Sequence, residues 1–151
     1  MMAEWTSVAA QTVNPGESIV FTENPVPCNK GYILHRDDSG AFLMKGIDTS
    51  GSYGCFCCRP KTVNYMVDFG ANIAIPTGET VGPISVSFAL DGNSLVGTEM
   101  TVTPAAVEEY FNVSRAANVS IWKGCCQTLS IRNTSTIPIL VEAANVVFKK
   151  E

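Results

Sequence analysis

The chain has 151 residues, 46% of them hydrophobic and 16% charged, which is enough for one buried core without staples and is poorly charged beside the roughly 25% of ordinary soluble domains. A net charge of -4 and a pI near 5.0 exclude a basic nucleic-acid surface, and no apolar run reaches the ~20 residues of a membrane helix. The single histidine, His35, removes most hydrolase triads and histidine-based metal sites, so no metal or cofactor is expected.

In chain order, Met1 to Thr6 carries no basic region followed by an apolar stretch, so no secretory leader is expected. Residues 1–10 read as an N-terminal arm, in which Trp5 and Val8 are placed to dock on a neighbouring subunit as a donated strand does. The domain itself is expected over residues 11–151, opening with short strands at 18–22, 31–34 and 41–45. Residues 46–62 form a Gly- and Ser-rich loop holding Cys55, Cys57 and Cys58. Val63, Tyr65, Val67, Phe69, Ala71, Ile73 and Ile75 then alternate with mostly polar or small residues, the period-two signature of a half-buried strand. Ile84, Val86, Phe88 and Leu90 repeat the pattern, Asp91-Gly92-Asn93 makes a turn, and residues 95–102 are expected to return as its hairpin partner. Pro104 opens the one candidate helical turn, over 104–110. A further alternating strand carries Phe111, Val113, Ala117, Val119 and Ile121. After Leu129 and Ile131 and the turn Asn133-Thr134-Ser135, residues 137–148 are apolar on both parities and are expected to be buried on both faces. About eight to ten short antiparallel strands separated by turns mean an all-β sandwich or barrel.

Several stretches, in order, carry a resemblance. Gln11-Thr12-Val13-Asn14-Pro15-Gly16-Glu17-Ser18-Ile19-Val20-Phe21 is followed by Gly31-Tyr32-Ile33-Leu34-His35 and Asp38-Ser39-Gly40-Ala41-Phe42, then by Tyr65-Met66-Val67-Asp68-Phe69. This order resembles the opening of tumour-necrosis-factor-like and complement-type jelly rolls. Ala89-Leu90-Asp91-Gly92 and Leu129-Ser130-Ile131-Arg132-Asn133-Thr134-Ser135 are similar to motifs of one branch, the C-terminal domains of bacterial collagen-like exosporium surface proteins. The resemblance spans residues 8 to 149 and implies a compact trimer around a threefold axis, with a structural role for His35. The collagen Gly-X-Y stalk is missing, and the cysteine-bearing insertion at 46–60 is foreign to the family pattern.

Six cysteines, Cys28, Cys55, Cys57, Cys58, Cys125 and Cys126, are candidate disulfides or inter-subunit cross-links. Their spacings are not the C-x-x-C pairs of zinc ribbons, and their connectivity is open. Adjacent thiols on a strand, as at Cys125-Cys126, point to opposite faces. Glu108 and Glu109 are neighbours on a turn and do not face each other, which disfavours a two-carboxylate site. His35 beside Asp37 and Asp38 has no serine or cysteine in a nucleophile elbow to serve. Asp91-Gly92-Asn93 lacks further calcium ligands. The sequons at Asn112 and Asn118 fall on a strand.

The sequence thus reads as a single all-β jelly-roll sandwich and not an enzyme. Its expected function is structural: self-assembly, as a trimer or filament, into an extracellular surface structure such as a bacterial spore surface layer or appendage. Its partners would be copies of itself and other surface-layer proteins, with no nucleic acid and no membrane. Release by lysis of the mother cell makes a leader unnecessary. A phage virion decoration or fibre protein is one alternative, released by lysis in the same way. A glycan- or receptor-binding module using Trp5 or Trp122 is another. Trp5, Val8, Met66, Ala74, Ala116, Trp122 and Val146 are the candidate interface residues.

Overall fold

The computed structural model describes residues 1–36, 38–47 and 61–151; Asp37, Cys55, Cys57 and Cys58 lie outside them. The described strands are β1 (Met2–Ser7), β2 (Gln11–Val13), β3 (Glu23–Val26), β4 (Ile33–His35), β5 (Phe42–Lys45), β6 (Thr62–Ala74), β7 (Ile84–Leu90), β8 (Asn93–Ser94), β9 (Met100–Val102), β10 (Phe111–Trp122), β11 (Cys126–Asn133) and β12 (Ile139–Lys150). One sheet runs β10-β6-β12-β1-β3, with β2 also on β12. The other runs β4-β5-β11-β7-β8, with β9 also on β7. Every pairing of strands is antiparallel. The two sheets face each other as a jelly-roll sandwich.

Period two explains the core. Val63, Tyr65, Val67, Phe69, Ala71 and Ile73 of β6 are all buried, facing Phe42, Met44, Phe88, Leu129 and Ile131 of the other sheet's strands within one core cluster. An aromatic group closes one part of it: the rings of Trp5, Phe42 and Phe148 lie 5.0–5.6 Å apart, and His35 stacks on Phe42 at 4.4 Å.

Several expectations are corrected. The N-terminal arm is a strand: β1 lies between β12 and β3, and Ala3, Trp5 and Ser7 alternate inward. Residues 18–22 contribute only two isolated bridges, Ser18 to Arg132 and Phe21 to Ser39. The Gln11 side chain takes over the role of a neighbouring strand here, since its amide donates to the Val20 carbonyl at 2.8 Å and accepts from the Val20 N–H at 2.9 Å. The hairpin partner at 95–102 is interrupted by a 3-10 turn, Val96–Thr98, because Thr98 Oγ1 accepts from the Phe88 N–H at 3.1 Å and donates to the Leu95 carbonyl. No helix forms over 104–110; Glu108 sits at φ +58° and donates its N–H to the Ile75 carbonyl instead. Strand β7 is covered on both faces, Ser85 and Ser87 included. Strand β12 is the reverse case. Its apolar residues occupy both parities because a bulge at Ala143, φ +50°, switches the inward set from Ile139 and Val141 to Ala144, Val146 and Phe148. The described residues hold twelve strands, against the eight to ten expected.

Candidate subunit interface

The outer face of the first sheet is built by the outward parity of β10 and β6. Their register is unbroken over twelve pairs, from Phe111 against Ile73 to Trp122 against Thr62. Apart from Met66 and Trp122, the outward residues are small or polar. Asn112 Nδ2 donates to Asn72 Oδ1 at 3.2 Å, Ser120 Oγ donates to Asn64 Oδ1 at 2.6 Å, and Ala116 lies opposite Asp68. A shallow groove crosses the middle of this face, lined by Asp68, Gly70, Ser114, Arg115, Ala116 and Asn145. Gly70 keeps it open, since a Cβ there would approach Asn145 Oδ1 to 3.0 Å.

Trp122 ends β10 with its ring 62% exposed, as its outward parity demands. The turn that follows is set by Gly124 at φ +80° and by the Cys125 N–H donating to the Trp122 carbonyl at 2.9 Å. Gly46 fits against this turn. Its N–H donates to the Cys125 carbonyl at 2.8 Å and its carbonyl accepts from Gly124 at 3.1 Å. Lys45, Gly46, Ile47, Gly124, Cys125 and Cys126 line a small cleft there. Cys125 and Cys126 are both exposed free thiols, because Cys125 belongs to the turn rather than to the pleat of β11; the expected inward–outward split does not occur. Cys28 is a half-buried free thiol packed against the core. It lies near Tyr65, whose phenol is pushed up to about 12 by burial first, then by Cys28 and Tyr32. The described chain leaves this end at Ile47 and returns at Lys61, whose carbonyl accepts from the Lys123 N–H at 3.0 Å.

The candidate interface residues separate into two groups. Val8 (70% exposed), Ala116 and Trp122 face outward, and Met66 is half-buried on the outer face. Trp5, Ala74 and Val146 are buried at 5%, 0% and 0%, inside this chain's own core, which removes them from a subunit surface. The sequence did not single out Ile47, Asn145 or Arg132. The Arg132 fork donates to the Gly16 carbonyl through Nε and Nη2 at 3.0 and 2.9 Å and to the Gly92 carbonyl through Nη1. An arginine on a strand has no sequence signal that separates such a clamp from a solvated charge.

His35 Nε2 meets the Ser39 carbonyl at 2.9 Å at the end of β4. Asp91 and Gly92, at φ +51° and +84°, form the two-residue turn between β7 and β8, and Asp91 Oδ1 accepts from the Thr128 N–H at 2.9 Å. Glu108 and Glu109 are exposed. Among the described residues no three His, Cys, Asp or Glu side chains converge as a metal site.

No family model matches the sequence, and no curated protein does. Among solved structures, the globular domain of zebrafish complement 1qA protein superimposes with a TM-score of 0.58, covering 99% of this chain and 94% of that one at 12% identity. The chain has the jelly-roll fold of that domain. Pika GITRL matches over 96% of this chain and 94% of its own, at 10% identity and a TM-score of 0.42. The C-terminal domain of the sugar-binding protein EclA matches over 96% and 79%, at 14% identity and a TM-score of 0.40. At such identities the likeness of this complement-1q-like jelly roll to its neighbours concerns fold.

Proposed function

We propose that this chain is a non-enzymatic structural protein that assembles with copies of itself, as a trimer or filament, into an extracellular surface structure such as a spore surface layer or appendage. The observation that carries the reading is the end of β10, where the exposed Trp122 adjoins two exposed free thiols, Cys125 and Cys126. A large aromatic ring left in water is worth burying between subunits, at roughly 25 cal/mol per Å² before the costs of association. Thiols beside it can then lock the contact covalently once the particle is outside a reducing compartment. Val8, Met66 and Ala116 add outward surface to the same assembly. The trimer rests on the family resemblance, and the spore context on the motifs at Ala89 and Leu129; virion decoration is the same assembly in another particle.

The test is the mass and negative-stain appearance of the purified chain, with and without reductant. Filaments, or covalent multimers that collapse on reduction, support the reading. Discrete trimers indifferent to reductant support self-assembly and sink its covalent lock. A monomer at all concentrations overturns it. A glycan-binding module is favoured by Trp122 alone, and binding on a glycan array that disappears in Trp122→Ala would establish it.

A further inference from the structure

Edges elsewhere in this sandwich are blunted. β3 is four residues with Glu23 and Pro25 and a register shift against β1. β4, β8 and β9 are three, two and three residues long. β10 is the exception. It is twelve residues long, ends its sheet, and among the described residues pairs only with β6, without a bulge. It holds no proline, and Arg115 is its one charged residue. Long, regular and almost uncharged, such an edge is a template for another strand.

The order of residues along β10 says which strand. Asn-Val-Ser occurs twice, at 112–114 and 118–120, on either side of Ala116. We propose that the edge is a two-fold interface whose occupant is β10 of a second copy, antiparallel and centred on Ala116. This rests on the self-assembly reading and names one of its contacts. In that register the outward pairs are Ala116 with itself, Ser114 with Asn118, and Asn112 with Ser120. The inward pairs are Val113 with Val119, Phe111 with Ile121, and Arg115 with Ala117. Apart from Arg115 against Ala117, apolar meets apolar and small polar meets small polar, and no like charges stand directly opposite. One step past the strand, Tyr110 comes opposite Trp122 and covers the ring exposed in the single chain. The neighbouring registers fare worse. Centring on Arg115 sets two guanidinium groups face to face, and centring on Ala117 sets Trp122 against Asn112 and Phe111 against Lys123. Centring between two residues pairs inward with outward side chains, which the pleat forbids. An isologous contact needs this self-complementarity, whereas a foreign strand would not. Pairing joins the two β10-containing sheets of the copies into one continuous sheet.

Two sets of variants test it. Ala116 is exposed, so Ala116→Lys keeps the fold while placing two lysines against each other on the axis. Self-association measured by sedimentation should weaken at least tenfold, with an unchanged melting curve. Under mild oxidation Ala116→Cys should give a 116–116 linked peptide by mass spectrometry, because opposed strand residues lie within disulfide reach. Ser114→Cys and Asn118→Cys should each give no self-link, and the double variant should give a 114–118 link. If the wild-type chain assembles but Ala116→Lys assembles equally and no 116–116 link forms, the edge contact is overturned and self-assembly stands. Self-links from Ser114→Cys as strong as those from Ala116→Cys overturn the register. A wild-type chain that stays monomeric overturns both the contact and the function it rests on.

Discussion

The Tyr65 hydroxyl donates to the Lys45 carbonyl at 2.6 Å, joining β6 of one sheet to β5 of the other beside the Cys125 turn. Tyr65 is fully buried, and its phenol is pushed up to about 12, by burial first. The sign of the pH effect follows. The unfolded chain ionises this phenol near its ordinary value of 10.0, while the folded chain holds it neutral until about 12. The stability that Tyr65 contributes is therefore complete below pH 10 and lost as pH rises towards 12. Tyr65→Phe should cost about 1 kcal/mol at neutral pH for the lost hydrogen bond. Urea unfolding should show the gap between wild type and variant closing over that alkaline window. A gap constant with pH would refute the assignment.

Ala143 sits at φ +50°, where an L-residue costs roughly 1–2 kcal/mol and glycine does not. The bulge is where β12 exchanges neighbours: Ile139, Leu140 and Val141 pair with β2, Ala144 onward with β1, and the Ala143 N–H donates to the Val8 carbonyl at 3.3 Å. Ala143→Gly should raise stability by about 1 kcal/mol, or about 3 °C in Tm. Ala143→Val should lower it, since a β-branched residue tolerates this region worst. Calorimetry on the two variants decides, and equal melting points would exclude strain at the bulge.

That bulge also marks how far the sequence could be read. The alternation read from Val63 to Ile75 holds as far as Ile73, because β6 has one face on the core; beyond it Ala74, expected outward, is buried as well. The apolar run at the C-terminus was legible as a strand but not in its faces. A one-residue insertion moves the apolar set to the other parity and leaves a sequence that looks buried on both sides. The stretch at 18–22 failed for a different reason. Its hydrogen bonds go partly to the Gln11 side chain, and nothing in local sequence announces an amide acting as a strand. At the candidate interface, parity placed Trp122 outward, whereas the exposure of both Cys125 and Cys126 depends on the turn at Gly124.

Gly46 has no room for a side chain. A Cβ would collide with the Trp122 carbonyl oxygen and come within 3.2 Å of the Cys125 carbonyl, both backbone atoms that cannot swing aside. Gly46→Ala should destabilise the fold by about 1–3 kcal/mol as an overpacking change. It should also shift the turn that presents the two thiols, so that Cys125 and Cys126 react with a thiol reagent at altered rates. Unchanged thermal stability and unchanged thiol kinetics would mean that the turn and Gly46 are not in contact.

The two tryptophans stand at opposite ends of the burial scale. Trp5 is 5% exposed and lies edge-on to Phe42 at 5.1 Å and to Phe148 at 5.6 Å; Trp122 is 62% exposed. Trp5→Ala removes a buried ring from the junction of both sheets and should cost about 3–5 kcal/mol, a large share of a single domain's stability. Trp122→Ala removes a ring that the single chain leaves in water. It should change unfolding of the dilute chain by no more than about 0.5 kcal/mol. Its effect should fall on association, because a ring is worth most where a partner desolvates it. Denaturant unfolding and sedimentation of the two variants separate these roles. Loss of folding stability without loss of association in Trp122→Ala would place that ring in the fold, and would leave the end of β10 without its part in assembly.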